Sequence, residues 1–163
     1  MHIKIVGSGS AGNHMAYALQ KFVKKITLTD LSLKALKRSK VKIYIPRYKV
    51  WNKKISQIIE GDDKNKSYDA IVIASPPSSH LDIIKKNINK SDIFLIEKPL
   101  CEPNKKKMNS FEKIINKYKK KTFLCGYNHR LFPSTALLKK ILKLEKNKFN
   151  FIKIKFKENT EGF

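Results

Sequence analysis

The chain has 163 residues, 41% of them apolar, and a formal net charge of +23. That length suits one principal core with room for the beginning of a second unit. The apolar share excludes a disordered chain, and no apolar run approaches the ~20 residues of a membrane span.

The charge comes from 33 lysines and only three arginines, Arg38, Arg47 and Arg130, in a chain also rich in Ile and Asn. A surface built for nucleic acid favours arginine forks and stacking aromatics. Only weak, non-specific nucleic-acid affinity that fades with salt is therefore expected. Two cysteines, Cys101 and Cys125, make neither a disulfide framework nor metal-ligand spacing. No metal site is expected. With no secretory leader in view, the expected compartment is the reducing cytoplasm.

The pattern alternates strand and helix along the chain. HIKIV (2–6) reads as a strand, and residues 11–24 as a helix turning Met15, Leu19, Phe22 and Val23 to a core. KITLT (25–29) is a second strand, followed by a short helix over 32–38. VKIYI (41–45) reads as a weaker strand closed by Pro46, and ISQII (55–59) as a helical turn. GDDKNKS (61–67) is a polar loop. DAIVIA (69–74) and DIFLI (92–96) are nearly all apolar, as strands buried on both faces should be. Between them Leu81, Ile84 and Ile88 mark a helix. Pro103 suits the first turn of another, with Met108, Phe111, Ile114, Ile115 and Tyr118 at helical spacing. TFLCG (122–126) is the sixth strand, and a helix over 134–144 follows.

Six strands separated by helices imply right-handed crossovers and a doubly wound, mostly parallel α/β sheet of the Rossmann type. The tail differs. NFIKIKFKEN (150–159) alternates Ile152, Ile154 and Phe156 with Lys153, Lys155 and Lys157. This pattern suits a half-exposed strand of an open antiparallel sheet, which needs partners to be stable. Residues 1–130 are thus expected to form one α/β domain, and residues 131–163 a helix and a strand beyond it, with a homo-oligomer through that strand as one way to pair it.

Four short blocks carry chemistry. GSGSAG places Gly7, Ser8, Gly9, Ser10, Ala11 and Gly12 in the order G-x-G-x-x-G, between a strand and a helix. The first glycine makes the turn, the second admits a pyrophosphate, and the third lets helix and strand pack closely. The helix N-terminus offers N–H groups and partial positive charge. Asp30 ends the second strand, where a carboxylate accepts from ribose hydroxyls and repels a 2′-phosphate, favouring NAD over NADP. Nearby Lys34 and Arg38 soften that repulsion, and Asp30 also suits a helix cap. Ser75, Pro76 and Pro77 end the fourth strand at a rim where open α/β sheets bind ligands, with His80 following in either a binding or a structural role. Glu97, Lys98 and Pro99 end the fifth strand on the same rim. A lysine fixed there can hydrogen-bond a substrate hydroxyl or carbonyl, or simply pair with an acid. GYNHR (126–130) adds an amide, an imidazole and a guanidinium after the sixth strand.

Together, GSGSAG at 7–12, Asp30, ASPPSSH at 74–80, EKPL at 97–100 and GYNHRLFPS at 126–134 resemble the glucose–fructose oxidoreductase and inositol dehydrogenase family, Gfo/Idh/MocA. The resemblance implies an N-terminal dinucleotide-binding Rossmann domain over residues 1–130, followed by an α/β domain on an open antiparallel sheet, of which residues 131–163 are a linker helix and the first strand, incomplete here. It implies oxidation or reduction of sugars, cyclitols and related alcohols with NAD or NADP. It carries a catalytic role onto Lys98 and a pocket role onto Asn128 and Arg130. The implied partners are a nicotinamide dinucleotide and a small polyol or sugar-like substrate. Family members run to well over three hundred residues, and their second catalytic residue, commonly a histidine, lies in the C-terminal domain. The resemblance therefore implies a cofactor-binding portion, truncated or split, with little turnover of its own. The competing readings are a non-catalytic dinucleotide sensor or scaffold and, behind it, a basic nucleic-acid-binding module.

Overall fold

In the computed structural model, residues 1–64, 66–127 and 131–144 are described. Asn128, Arg130 and the alternating tail at 150–159 lie outside them. The chain divides into two compact units, 1–127 and 128–163.

The first unit holds a six-stranded, all-parallel sheet. Its strands are β1 (His2–Val6), β2 (Lys25–Asp30), β3 (Ile55–Ile59), β4 (Ala70–Ile73), β5 (Ile93–Ile96) and β6 (Thr122–Cys125), in the spatial order β3-β2-β1-β4-β5-β6. The helices are α1 (Ser10–Leu19), α2 (Leu33–Arg38), α3 (Ile45–Tyr48), α4 (His80–Asn87) and α5 (Lys105–Lys117). In the second unit α6 (Pro133–Leu144) carries Leu137, Leu138 and Ile141 at helical spacing. The chain leaves β1 for one side of the sheet and returns to β4 on the other. β1 and β4 therefore flank the point where strand order reverses, the place where such sheets bind ligands. No described helix is long and apolar enough to cross a membrane.

One face of the sheet buries Ile3, Ile5, Ile26, Leu28, Ile55 and Val72 with Ala16 and Tyr44; the other buries Val6, Ile71, Ile73, Phe94 and Ile96 with Ile84 and Phe111.

Two assignments change. VKIYI is not a strand: Ser39–Tyr44 forms a π-helical turn that runs into α3. Tyr44, Tyr48 and Trp51 recur at helical spacing, and that period wins. Tyr44 is fully buried, and Tyr17 stacks on Tyr48 with ring centroids 3.9 Å apart. Pro46 sits in the first turn of α3, where its missing N–H costs nothing. ISQII is not a helical turn but β3. It pairs with β2 from Ile26↔Ile55 to Asp30↔Ile59, and Gln57 Nε2 donates to Leu36 O at 2.9 Å. Only Ile55 of this edge strand is buried, and its other four residues are half-buried.

Four side chains expected in the core face solvent instead. Phe22 is 79% exposed, because α1 has already ended at Leu19. Met108 and Ile115 are 59% and 41% exposed on α5, which buries only Phe111 fully. In DIFLI, Ile93 is 40% exposed, so β5 is not covered along its whole length.

Among the described residues, the connection from β3 to β4 contains no helix. Residues 60–64 and 66–69 cross the sheet as loop, held by a charge that the strand pattern conceals. Lys4 lies in β1 and is fully buried. Its Nζ donates to Glu60 Oε1 at 3.0 Å, Asp63 Oδ2 at 2.7 Å and Asn87 Oδ1 at 2.9 Å, which uses all three protons. Asp63 also accepts from Lys90 Nζ and from Tyr68 Oη, at 2.7 and 2.9 Å. Burial pushes the Asp63 carboxyl up. The hydrogen bonds from Lys4 and Lys90, with the Lys4 charge, outweigh burial and hold it at about 2. Burial first, and then the bond to Asp63, push the Tyr68 phenol up.

The Asp63 carboxyl titrates lower folded than its ordinary 3.8, so its contribution is complete above that value and is lost as pH falls through about 2. The wild-type melting temperature is expected to fall across that window, and Asp63→Asn to show a flatter profile there. Asp63→Ala leaves the buried Lys4 ammonium with Glu60 as its one carboxylate and is expected to cost about 3 kcal/mol, measured by urea denaturation. An Asp63→Ala loss below about 1 kcal/mol would show that the pair is not structural.

Candidate dinucleotide site at the strand ends

The strand order places the turns after β1, β2, β4 and β5 along one edge of the sheet. The turn after β1 is set by contact. Gly7 has φ +103°, a conformation that L side chains rarely adopt. A Cβ there would also lie 2.6 Å from Ala74 O. A Cβ on Gly12 would come 1.9 Å from Gly7 O. The first and third glycines are thus required by the protein's own backbone. Gly9 differs: a Cβ there meets nothing within 4 Å. The space above Gly9 is open, which is the space a ligand's pyrophosphate needs.

The same turn leaves donors unused. Gly9 is the N-cap of α1, with no side-chain cap and no acidic residue in the first turn. The first helical bond runs from Asn13 N to Gly9 O at 3.0 Å. The exposed Ser10 and Ala11 therefore present N–H groups without helical partners at the positive end of the helix.

Asp30 closes the other side. Its Oδ2 accepts from Ser8 N at 2.8 Å and Ser8 Oγ at 2.5 Å, and its Oδ1 accepts from Leu31 N at 2.8 Å. Asp30 does not cap α2; Ser32 does, accepting from Ala35 N at 3.2 Å. Oδ1 keeps a lone pair at a half-buried position, suited to a ribose hydroxyl. Ser8 itself is buried, 3% exposed, so its hydroxyl serves Asp30 rather than a ligand.

Asn13 escapes any motif, yet it fixes the turn from beneath. It is fully buried. The two protons of its Nδ2 go to Ser8 O at 2.7 Å and Gly9 O at 2.8 Å, and its Oδ1 accepts from Ser39 Oγ at 3.1 Å. The signal available in the sequence was an amide directly after Gly12, on the sheet side of α1.

On the β4 side, Ser75 is half-buried and Pro76 exposed, with Pro77 opening a short 3₁₀ turn to Ser79. Ser79 Oγ bonds Ser75 Oγ at 2.8 Å. His80 is fully buried. Its Nδ1 lies 3.0 Å from Leu100 O and its Nε2 2.8 Å from Ser75 O. The ring links the turn after β4 to the loop after β5, and neither nitrogen faces the open rim. On that loop Lys98 is exposed and, among the described residues, forms no ion pair. Glu97 Oε2 accepts from Lys98 N at 3.1 Å, and Leu100 N donates to Tyr127 Oη at 3.4 Å. The Lys98–Pro99 peptide bond is cis. The site thus gathers Gly7–Gly12, Asp30, Ser75–Pro77, Glu97 and Lys98 on one rim, with His80 below it.

The chemistry of this rim suits a nicotinamide dinucleotide: a carboxylate for ribose, open N–H groups at a helix terminus, and a cradle over Gly9 that a side chain would fill. Known proteins agree in fold. A family model described as an oxidoreductase family with an NAD-binding Rossmann fold, GFO_IDH_MocA, matches residues 1–129. Scyllo-inositol dehydrogenase from Lactobacillus casei, solved with NAD(H) and scyllo-inositol, is 20% identical with a TM-score of 0.65. The match covers 90% of this chain and 42% of that one. Myo-inositol 2-dehydrogenase from Lactobacillus plantarum is 21% identical, TM-score 0.63, over 89% and 41% of the two chains. UDP-N-acetylglucosamine 3-dehydrogenase from Acidithiobacillus ferrooxidans is 15% identical, TM-score 0.64, over 86% and 41%. The chain thus spans about two-fifths of the length of these solved relatives. No curated protein sequence matches it.

The backbone contacts separate the glycines by role. Gly12→Ala is expected to lower stability by about 3 kcal/mol through overpacking, and Gly9→Ala by less than about 0.5 kcal/mol. Asn13→Ala is expected to cost about 1–3 kcal/mol by removing the amide bonded to Ser8 O and to the Ser39 hydroxyl. Thermal melts of the three variants check all three values; a Gly12→Ala protein as stable as Gly9→Ala contradicts the packing described.

Proposed function

Because the chain belongs to the Gfo/Idh/MocA oxidoreductase family, with its NAD-binding Rossmann fold, we propose that it binds a nicotinamide dinucleotide across the β1–β4 reversal and serves the oxidation of a secondary alcohol on a polyol or sugar. The observation that carries the reading is the pairing of an open cradle at Gly9 with a carboxylate at Asp30, on either side of the same turn. Bound there, the nicotinamide supplies the hydride acceptor or donor, and the protein supplies position and proton handling.

In this reading the N–H groups of Ser10 and Ala11 take the pyrophosphate, and Gly9 lets it approach. Asp30 accepts from the adenosine ribose and disfavours a 2′-phosphate, which favours NAD over NADP. Ser75, Pro76 and Pro77 form the wall beside the cofactor. Lys98 donates to the reacting oxygen and helps move its proton, with Glu97 shaping the loop. His80 acts one step removed, by fixing both loops. Asn128 and Arg130 are assigned to the pocket on family resemblance, as is the division between residues 1–130 and 131–163. The inositol and amino-sugar substrates named for the solved relatives suggest the substrate class, a cyclic polyol or sugar with vicinal hydroxyls.

Titration of the chain with NADH, followed by nicotinamide fluorescence, is expected to show saturable binding. Gly9→Val fills the cradle and is expected to weaken binding at least tenfold, about 1.4 kcal/mol, without changing the melting temperature. With a panel of inositols and NAD+, any turnover is expected to fall with Lys98→Met while NADH affinity holds. No binding at millimolar NADH overturns the reading.

A further inference from the structure

The segment after α2 runs along α1 in a manner the glycine motif does not require. Ser39 Oγ bonds Asn13, Tyr48 Oη lies 3.1 Å from His14 Nδ1, and Arg47 Nη1 donates to Ser10 Oγ at 2.6 Å. The third contact brings a guanidinium to the first residue of α1. Ser10 is also the residue whose N–H opens the uncapped turn. Arg47 is exposed and, among the described residues, forms no salt bridge.

This placement runs against local electrostatics. The N-terminus of a helix is its positive end and favours anions over cations. Nothing in the first turn of α1 offsets the charge, because that turn carries no acidic residue. A guanidinium held there is unfavourable alone and becomes favourable when an anion joins it. The cradle over Gly9, with nothing within 4 Å of a Cβ built there, is open space beside the same turn. One N–H of Arg47 is used on Ser10, which leaves a fork able to hold two phosphate oxygens. A lysine, which the chain uses 33 times, offers no such fork.

We propose that Arg47 is a phosphate-binding residue of the dinucleotide site: held by Ser10 Oγ, its guanidinium grips the pyrophosphate together with the N–H groups of Ser10 and Ala11. The inference rests on the dinucleotide reading above and adds a ligand-binding side chain from outside the glycine motif. It also gives the π-helical turn and α3 a purpose, since they carry Arg47 to the helix end.

The test is calorimetric titration of the full chain and of Arg47→Gln and Arg47→Lys with NADH, ADP, adenosine and NADPH. Arg47→Gln is expected to weaken NADH and ADP alike, by about ten- to thirtyfold, with adenosine affinity and melting temperature unchanged. Arg47→Lys is expected to recover part of the loss, because it keeps the charge and loses the fork. ADP binding by Arg47→Gln within twofold of wild type overturns the assignment. A loss confined to NADPH also overturns it, placing the guanidinium at a ribose 2′-phosphate instead. If wild type binds neither NADH nor ADP at millimolar concentration, the dinucleotide reading falls and Arg47 falls with it. If wild type binds and Arg47→Gln binds equally well, only Arg47 falls.

Discussion

A buried ammonium holds one face of this sheet together. A parallel sheet needs both faces covered, normally by the crossover helices themselves. Among the described residues between β3 and β4 there is no such helix, only loop. Lys4 supplies the missing cohesion from within the sheet: three bonds reach Glu60, Asp63 and Asn87 and so join the loop and α4 to the central strand. Desolvating a cation is costly, and each of its protons must be bonded for it to stay buried. The network meets that condition, and no buried side-chain polar atom among the described residues lacks a partner. The strand edge that carries the binding turns depends on β1 and β4 staying in register, and the loop pinned by Lys4 leads directly into β4.

Much of this architecture was legible in the sequence because the glycine turn and the apolar runs are local signals. The alternation of strand and helix predicted a parallel sheet, and G-x-G-x-x-G between β1 and α1 predicted the ligand edge. What failed was decided at longer range. VKIYI has strand-like composition, but Tyr44 fills a hollow against Tyr17 and Trp51. That aromatic contact selects a helical path. ISQII lacks a strong alternating signal because, at the sheet edge, only Ile55 is buried and both rows of side chains are otherwise half-buried. Lys4 was legible as a strand residue but not as a core residue. Its partners are 56 to 83 positions away, beyond any local pattern.

The rim shows the same division. Glycines dictated by backbone approach announce themselves, whereas supporting groups do not. Asn13, Ser39 and Arg47 belong to no motif. Ser8 is a motif position of unspecified identity, yet its hydroxyl fixes Asp30. His80 stood open between binding and structure; its two nitrogens both point at carbonyl oxygens of neighbouring loops. Membership of an oxidoreductase family gives the rim its chemical context, and the supporting groups show how this particular chain builds it.

The glycine turn is tied down at both ends before anything binds. Asn13 grips the carbonyls of Ser8 and Gly9 from below, and Asp30 grips the amide and hydroxyl of Ser8 from the side. Ordering a loop on arrival of a ligand costs about 1–2 kcal/mol of backbone entropy for each residue fixed. Here that loss is incurred during folding. Binding at this turn then begins from a rigid surface, so the association rate reflects diffusional encounter rather than loop closure. Affinity is left to the contacts that hold the ligand once it has arrived.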